Sequence, residues 1–349
     1  MDLSTLLRIS QAQIQIIRYE EPFILLLGNL GNIANILIFG RRELRKNVCS
    51  RYFICLSLAH LLLLDTLCLS RILTTSTGNN VFQYIMSLCK LRTYFTEFST
   101  LLSRYFLCLI SIDRWMVTSS SARLRQQSST RASRWLIIIG ILFWAIFSSH
   151  AAIGFQTGPV ECTPPAGSIY SMFYSIEAII VAMIPMFIMI VFSCLTVFNV
   201  RSRVIRQIQP TQVILSIHTE TQQTNMSNAS RQLFKYNIQL VRLSILQVIF
   251  YFLLNTTWSI NALYQLLIGV QGMMNINQQL TIVFLGRLGL NLLFTYTAVC
   301  CFRSIFKVFY YLFLDHIRTV YVSVSSISKR MCYYLTTMVN NYPSTFLII

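Results

Sequence analysis

Negative charge is the scarcest resource of this chain: 11 Asp and Glu stand against 28 Lys and Arg, and charged residues of both signs make up only 11% of 349 residues. A soluble domain carries about 25%, so most of this chain lacks the polar surface a globular fold shows to water. Histidine is rare as well. His60, His150, His218 and His316 are scattered, and no Ser/His/Asp or HExxH-like spacing or metal-ligand cluster is present, which argues against a hydrolase or metalloenzyme and gives no cofactor a home. No internal repeat is seen, and no paired broken helices, the features that would favour an inverted-repeat transporter. Residues 1–21 show no cleavable leader, so the first membrane helix is expected to act as the targeting signal.

What fills the chain instead is apolar: 55% hydrophobic residues, 13% aromatics and a mean hydropathy of +0.60. A membrane-spanning helix needs about 20 such residues, and the runs predict helices over 22–40, 52–73, 88–117, 135–155, 171–200, 237–267 and 280–301. The net charge of +17 does not come from a soluble basic domain, so nucleic acid is not the expected partner. Twenty-one basic residues, among them Arg41, Arg42, Lys46, Arg114, Arg131, Arg134, Arg201, Arg231, Arg303 and Lys307, fall on one side of the predicted spans. Only Arg8, Arg18, Arg71, Lys90 and Arg92 fall on the other. Basic loops stay in the cytoplasm, so the N-terminus is expected outside and the C-terminus inside. Gln207–Arg231 reads as a flexible cytoplasmic loop, and Thr157–Gly167 as a short exterior one. In 302–314, Arg303 and Lys307 alternate with Phe306, Phe309, Tyr310 and Phe313, the pattern of a helix lying on the inner membrane surface.

The third predicted helix carries the most specific pattern. Cys89 and Asp113-Arg114-Trp115 are separated by a rise of about 37 Å at 1.5 Å per residue, so they bracket the hydrocarbon layer. This spacing, with Gly31-Asn32, Trp144 and Pro185 in order on the first, fourth and fifth helices, resembles rhodopsin-like G-protein-coupled receptors over nearly the whole of 22–314. The resemblance implies an all-α membrane protein: a seven-transmembrane helix bundle with a short amphipathic helix after the seventh helix. Its parts would be an extracellular N-terminus (1–21), the receptor domain (22–301), the surface helix (302–314) and a cytoplasmic tail (315–349). It further implies a disulfide between Cys89 and Cys162, and a plasma-membrane receptor whose partners are an extracellular ligand, a heterotrimeric G protein and the lipid bilayer. Asp113, Arg114 and Trp115 would form the G-protein coupling site, Asp113 holding Arg114 when the bundle is closed. The plain alternative is a basic headgroup anchor. Asn32, Trp144 and Pro185 each have a plain packing explanation too.

Departures from the family pattern are equally informative. His60 stands where the family's second helix has an aspartate, with only Ser103 kept from a sodium site, so no family-type sodium site is expected. His60 reads either as a hydrogen-bonded interior histidine or as a protonatable switch. The seventh helix has Tyr296-Thr297-Ala298-Val299-Cys300 in place of Asn-Pro-x-x-Tyr, and Trp258 of the sixth has no proline beside it. Thr96 occupies the position where amine receptors hold an aspartate, with Glu97 next to it. Thr96, Glu97 and Glu177, with Arg287 at comparable depth and Arg104 deeper, are the ligand-binding candidates; the competing reading is that these charges tie helices together. With carboxylates facing the cavity, a basic peptide is the favoured ligand class. Two functions from other classes stay open here: a multi-helix transporter or channel, and a receptor-like protein that does not couple.

Overall fold

The computed structural model describes residues 3–42, 44–78, 81–157, 162–165 and 168–208, and, further on, residues 245, 248, 249, 251–253, 255–257, 259–264, 286, 289 and 292–297. Within these, helices α1 (Leu3–Phe39), α2 (Val48–Leu63), α3 (Leu69–Thr77), α4 (Val81–Tyr84), α5 (Met86–Thr118), α6 (Ala122–Gln127), α7 (Thr130–Phe147), α8 (Ser149–Gly154) and α9 (Ile169–Ile208) follow one another. A two-stranded antiparallel hairpin, β1 (Gln156–Thr157) and β2 (Cys162–Thr163), separates α8 from α9. Five stretches among the described residues are long and apolar enough to cross a membrane: Ile17–Phe39, Val48–Thr77, Met86–Thr118, Thr130–Gly154 and Ile169–Val200. They coincide with the first five predicted helices. The described residues between 245 and 264 and between 286 and 297 are helical and fall inside the predicted sixth and seventh. The surface helix 302–314, the tail 315–349, Trp258 and Arg287 lie outside the described residues.

Local chemistry sets the ends. Asn47 caps α2 by accepting from the Cys49 amide at 3.0 Å, and Ser129 caps α7 by accepting from the Ala132 amide at 3.2 Å, each meeting an amide that the helix leaves without an internal partner. Gly78 ends α3 at φ 69°, a left-handed conformation that L side chains avoid. The first helix starts at Leu3 rather than at 22, because the polar stretch ahead of the apolar run continues the same helix through Pro22. Between α2 and α3 the chain makes a π-helical turn, Leu64–Cys68. The added residue rotates everything beyond it by about 100°, and the part of this span after the turn therefore presents a different face from the one the apolar pattern implies.

The third span is the axis of the bundle. Helix α5 packs against α2, α7, α8 and α9, and 61% of its most apolar window is buried, against 17% in each of the fourth and fifth spans. The outer faces of those two show Ile139, Leu142, Phe143, Ile146, Ile184 and Phe187, a belt of apolar side chains that acyl chains satisfy and water does not. Gly140 lets the fourth span approach the third closely, since a Cβ there would overlap the Tyr105 ring.

Candidate functional site

At the disulfide-bearing end, Cys89 of α5 is bonded to Cys162 of β2 with a Cα–Cα distance of 5.7 Å. Cys89, Ala151, Phe155 and Cys162 form a buried cluster with Tyr170 and Tyr174 packed on it. The hairpin is thereby pinned over the helix ends. Beneath it, Thr96, Glu97, Thr100 and Arg104 recur along one face of α5 and line a cleft of about 500 Å³, a volume that includes space open to solvent. Tyr174, Ala178 and Val181 of α9 form the opposite wall, with Leu67 of the π turn and Leu293 of the seventh helix closing the sides.

The two predicted carboxylates are brought near one another but are held differently. Glu97 lines the cleft and accepts a hydrogen bond from the Tyr174 hydroxyl at 3.4 Å; its charged neighbours are Glu177, Arg104 and His150. Glu177 is buried and meets His150 Nε2 at 3.2 Å. Tyr170 donates its hydroxyl proton to the His150 carbonyl at 3.1 Å, and the same hydroxyl lies 3.0 Å from His150 Nδ1. Glu177 is thus tied to the fourth span, while Glu97 faces the space. His150 and Tyr174 are partners that sequence reasoning missed. Their signal was present in part: Tyr170, Tyr174 and Glu177 recur at helical spacing on one face of α9.

At the other end of α5 the Asp113-Arg114-Trp115 triplet is closed on itself. Arg114 and Asp113 form a salt bridge in which their side chains are 2% and 1% exposed. Asp113 also accepts from the Ser128 hydroxyl at 2.6 Å, and Arg114 reaches the Asn47 side-chain oxygen at 3.4 Å, the same oxygen that caps α2. Trp115 points away from this network and packs on Phe192 of α9, ring centroids 5.2 Å apart. Arg114 is therefore stored, with its counter-ion, in the seam between the second and third spans.

The interior landmarks are all buried or half-buried. Asn32 donates to the Gly28 carbonyl at 2.8 Å. Trp144 packs between Phe143, Phe147 and Tyr105, and Pro185 lies within α9 with its carbonyl accepting from Cys108. His60 is 1% exposed and packs edge-on against Tyr296, and neither ring nitrogen has a hydrogen-bond partner among the described residues. A second buried ion pair went unseen in the sequence. Glu21 of α1 and Arg71 of α3 meet at 2.9 Å, and Arg71 also sits over the Phe294 ring.

Comparison with known proteins adds one match. The family model described as 7 transmembrane receptor (rhodopsin family) covers residues 31–286, well over half of the chain and inclusive of both ends of α5. No curated protein matches the chain.

Proposed function

The chain belongs to the rhodopsin family of seven-transmembrane receptors, multi-pass proteins of the plasma membrane that are generally not enzymes, and from that premise we propose that it binds an extracellular ligand and activates a heterotrimeric G protein through Arg114. The observation that carries this reading is the buried Asp113–Arg114 pair. A planar guanidinium held by its neighbour at a helix end is poised to be released to an incoming protein when the bundle opens. The basic-residue asymmetry supports a cytoplasmic position for that end and an exterior one for the disulfide-bearing end. The transporter and channel alternative loses its ground with the family assignment.

Glu97 is the carboxylate a ligand meets first, because Glu177 is already engaged by His150. A ligand with a basic group, of which a small basic peptide is the leading case, would pair with it. Arg287, the partner the sequence offered for these carboxylates, lies outside the described residues, and His150 takes its place opposite Glu177. The test is a screen of basic peptides in cells carrying a broad set of G-protein reporters, repeated on Arg114→Ala. The variant should reach the surface normally and lose every response that the unaltered receptor gives. An undiminished response at equal surface level would sink the coupling role of Arg114.

A further inference from the structure

The deepest charged residue of the cleft has no use in the reading above. Arg104 is 4% exposed, lines the cleft, and its Nε has no hydrogen-bond partner among the described residues. No carboxylate among them lies within ion-pair distance of it. Its neighbours are the buried Tyr251 hydroxyl on the sixth helix, within hydrogen-bonding reach of the guanidinium but neutral, and Glu97 two helical turns above. Arginine cannot shed its proton to escape burial, and a guanidinium within a membrane domain is costly until an anion meets it. The same cleft is lined by Thr96, whose buried hydroxyl is likewise without a partner among the described residues, and by Thr100.

We infer that the cleft binds a small dipolar ligand, with its cationic group on Glu97 and an oxyanion on Arg104. The inference rests on the cleft being the ligand site and adds to it the chemistry of the far end. The two residues are seven apart on one helix, so their Cα atoms are offset by about 10 Å along the axis. With a hydrogen bond of about 2.8 Å at each end and the long Arg104 side chain leaning back toward Glu97, a ligand with only a few bonds between its two charges spans that offset. Such a molecule neutralises both buried charges at once. A purely basic ligand leaves Arg104 unanswered and brings a second positive charge toward it. The oxyanion is a carboxylate or a phosphate, both of which an arginine fork accepts in two-point fashion.

The probes are ω-amino carboxylic acids of increasing chain length from glycine upward, the ω-aminoalkyl phosphates, and the alkylamines and alkanoates of matching length. Each is titrated into purified full-length receptor in lipid nanodiscs, and the shift in thermal unfolding midpoint gives its affinity. The dipolar series should bind at least roughly tenfold tighter than either singly charged series, about 1.4 kcal/mol, with an optimum at intermediate length. Whichever of carboxylate and phosphate gives the larger shift identifies the source of the anion. Arg104→Gln should reduce the dipolar probe to the affinity of the alkylamine, while Arg104→Lys, which keeps the charge but not the fork, retains part of the gain. If Arg104→Gln does not fold, the comparison of dipolar with singly charged probes on the unaltered receptor still decides. Equal binding of the alkylamine overturns the anion site while leaving the cation reading of Glu97 intact. Alkanoate binding that depends on Arg104, without any contribution from the amine, overturns the dipolar ligand and the role of Glu97 together. No shift with any probe also overturns the proposal.

Discussion

Replacing Asp113 by asparagine should turn the receptor on without any ligand. Arg114 stays buried in the closed bundle, where its salt bridge is with Asp113, with a further contact to Asn47. The substitution keeps the shape and a hydrogen-bonding oxygen but removes the counter-charge, so the closed state is left with an incompletely compensated buried cation. The open state, in which Arg114 faces water or its partner, suffers no such loss. Hydrogen bonds to charged groups contribute about 1.5–3 kcal/mol; taking about 2 kcal/mol, the closed-to-open ratio falls by about 30-fold. A resting open population of about 1% then becomes about 20%. Ser128→Ala removes the hydroxyl that orients Asp113 but leaves both charges, and should raise basal activity only a fewfold. Combined with Asp113→Asn it should add little, because Ser128 acts on Arg114 through Asp113. The assay is nucleotide exchange on G protein in membranes without added ligand, normalised to surface receptor. Basal exchange that is unchanged or lowered in Asp113→Asn at normal surface level would refute the argument that this pair restrains the closed bundle.

The other expectations are brief. Non-reducing peptide mapping should recover Cys89 linked to Cys162, and replacing both by serine should lower the unfolding midpoint, since a cross-link closing a separation of 73 residues is worth up to about 4 kcal/mol; free thiols in surface receptor would count against the hairpin's anchoring. Gly140→Val should destabilise by about 1–3 kcal/mol through overlap with Tyr105, and Tyr105→Ala should partly rescue it by opening the seam. An epitope placed before Leu3 should stain intact cells and one after Ile349 only permeabilised ones; the reverse pattern would overturn the orientation. Exchanging sodium for a bulky organic cation should leave ligand affinity unchanged.

The existence of the spans was legible because membrane crossing demands about 20 apolar residues, a signal too long to arise by chance. Their limits were less so. Polar Leu3–Glu20 gave no apolar run, yet it extends α1, and Val48–Cys49 joins the second span because Asn47 supplies a cap rather than because hydropathy changes. The π turn at Leu64–Cys68 was invisible for a physical reason: one added residue shifts the helical phase without changing the hydropathy of the run, and Leu67 of that turn lines the cleft. Glu97 and Glu177 could be picked out because an ionisable group within a membrane helix demands a reason. Their partners could not. Nothing in the local sequence of His150 distinguishes it from an interior packing residue, and Glu21 sat at the edge of what hydropathy assigned to a short exterior segment. Such pairings belong to the packing of helices distant in sequence, here 27 residues apart for His150 and Glu177 and 50 for Glu21 and Arg71.

The departures from the family pattern are electrostatically consistent with one another. Where the family's second helix offers an aspartate, this chain has His60, buried and without a hydrogen-bond partner for either ring nitrogen among the described residues. Next to Ser103, the one residue kept from the family's sodium site, stands Arg104. A guanidinium close to that position disfavours a cation there, and no carboxylate at position 60 offsets it. Losing the acid alone would leave a weak cation site that a nearby hydroxyl and water could still support. Together the two changes favour an anion at Arg104 over a cation beside Ser103, in keeping with the dipolar ligand we infer for the cleft.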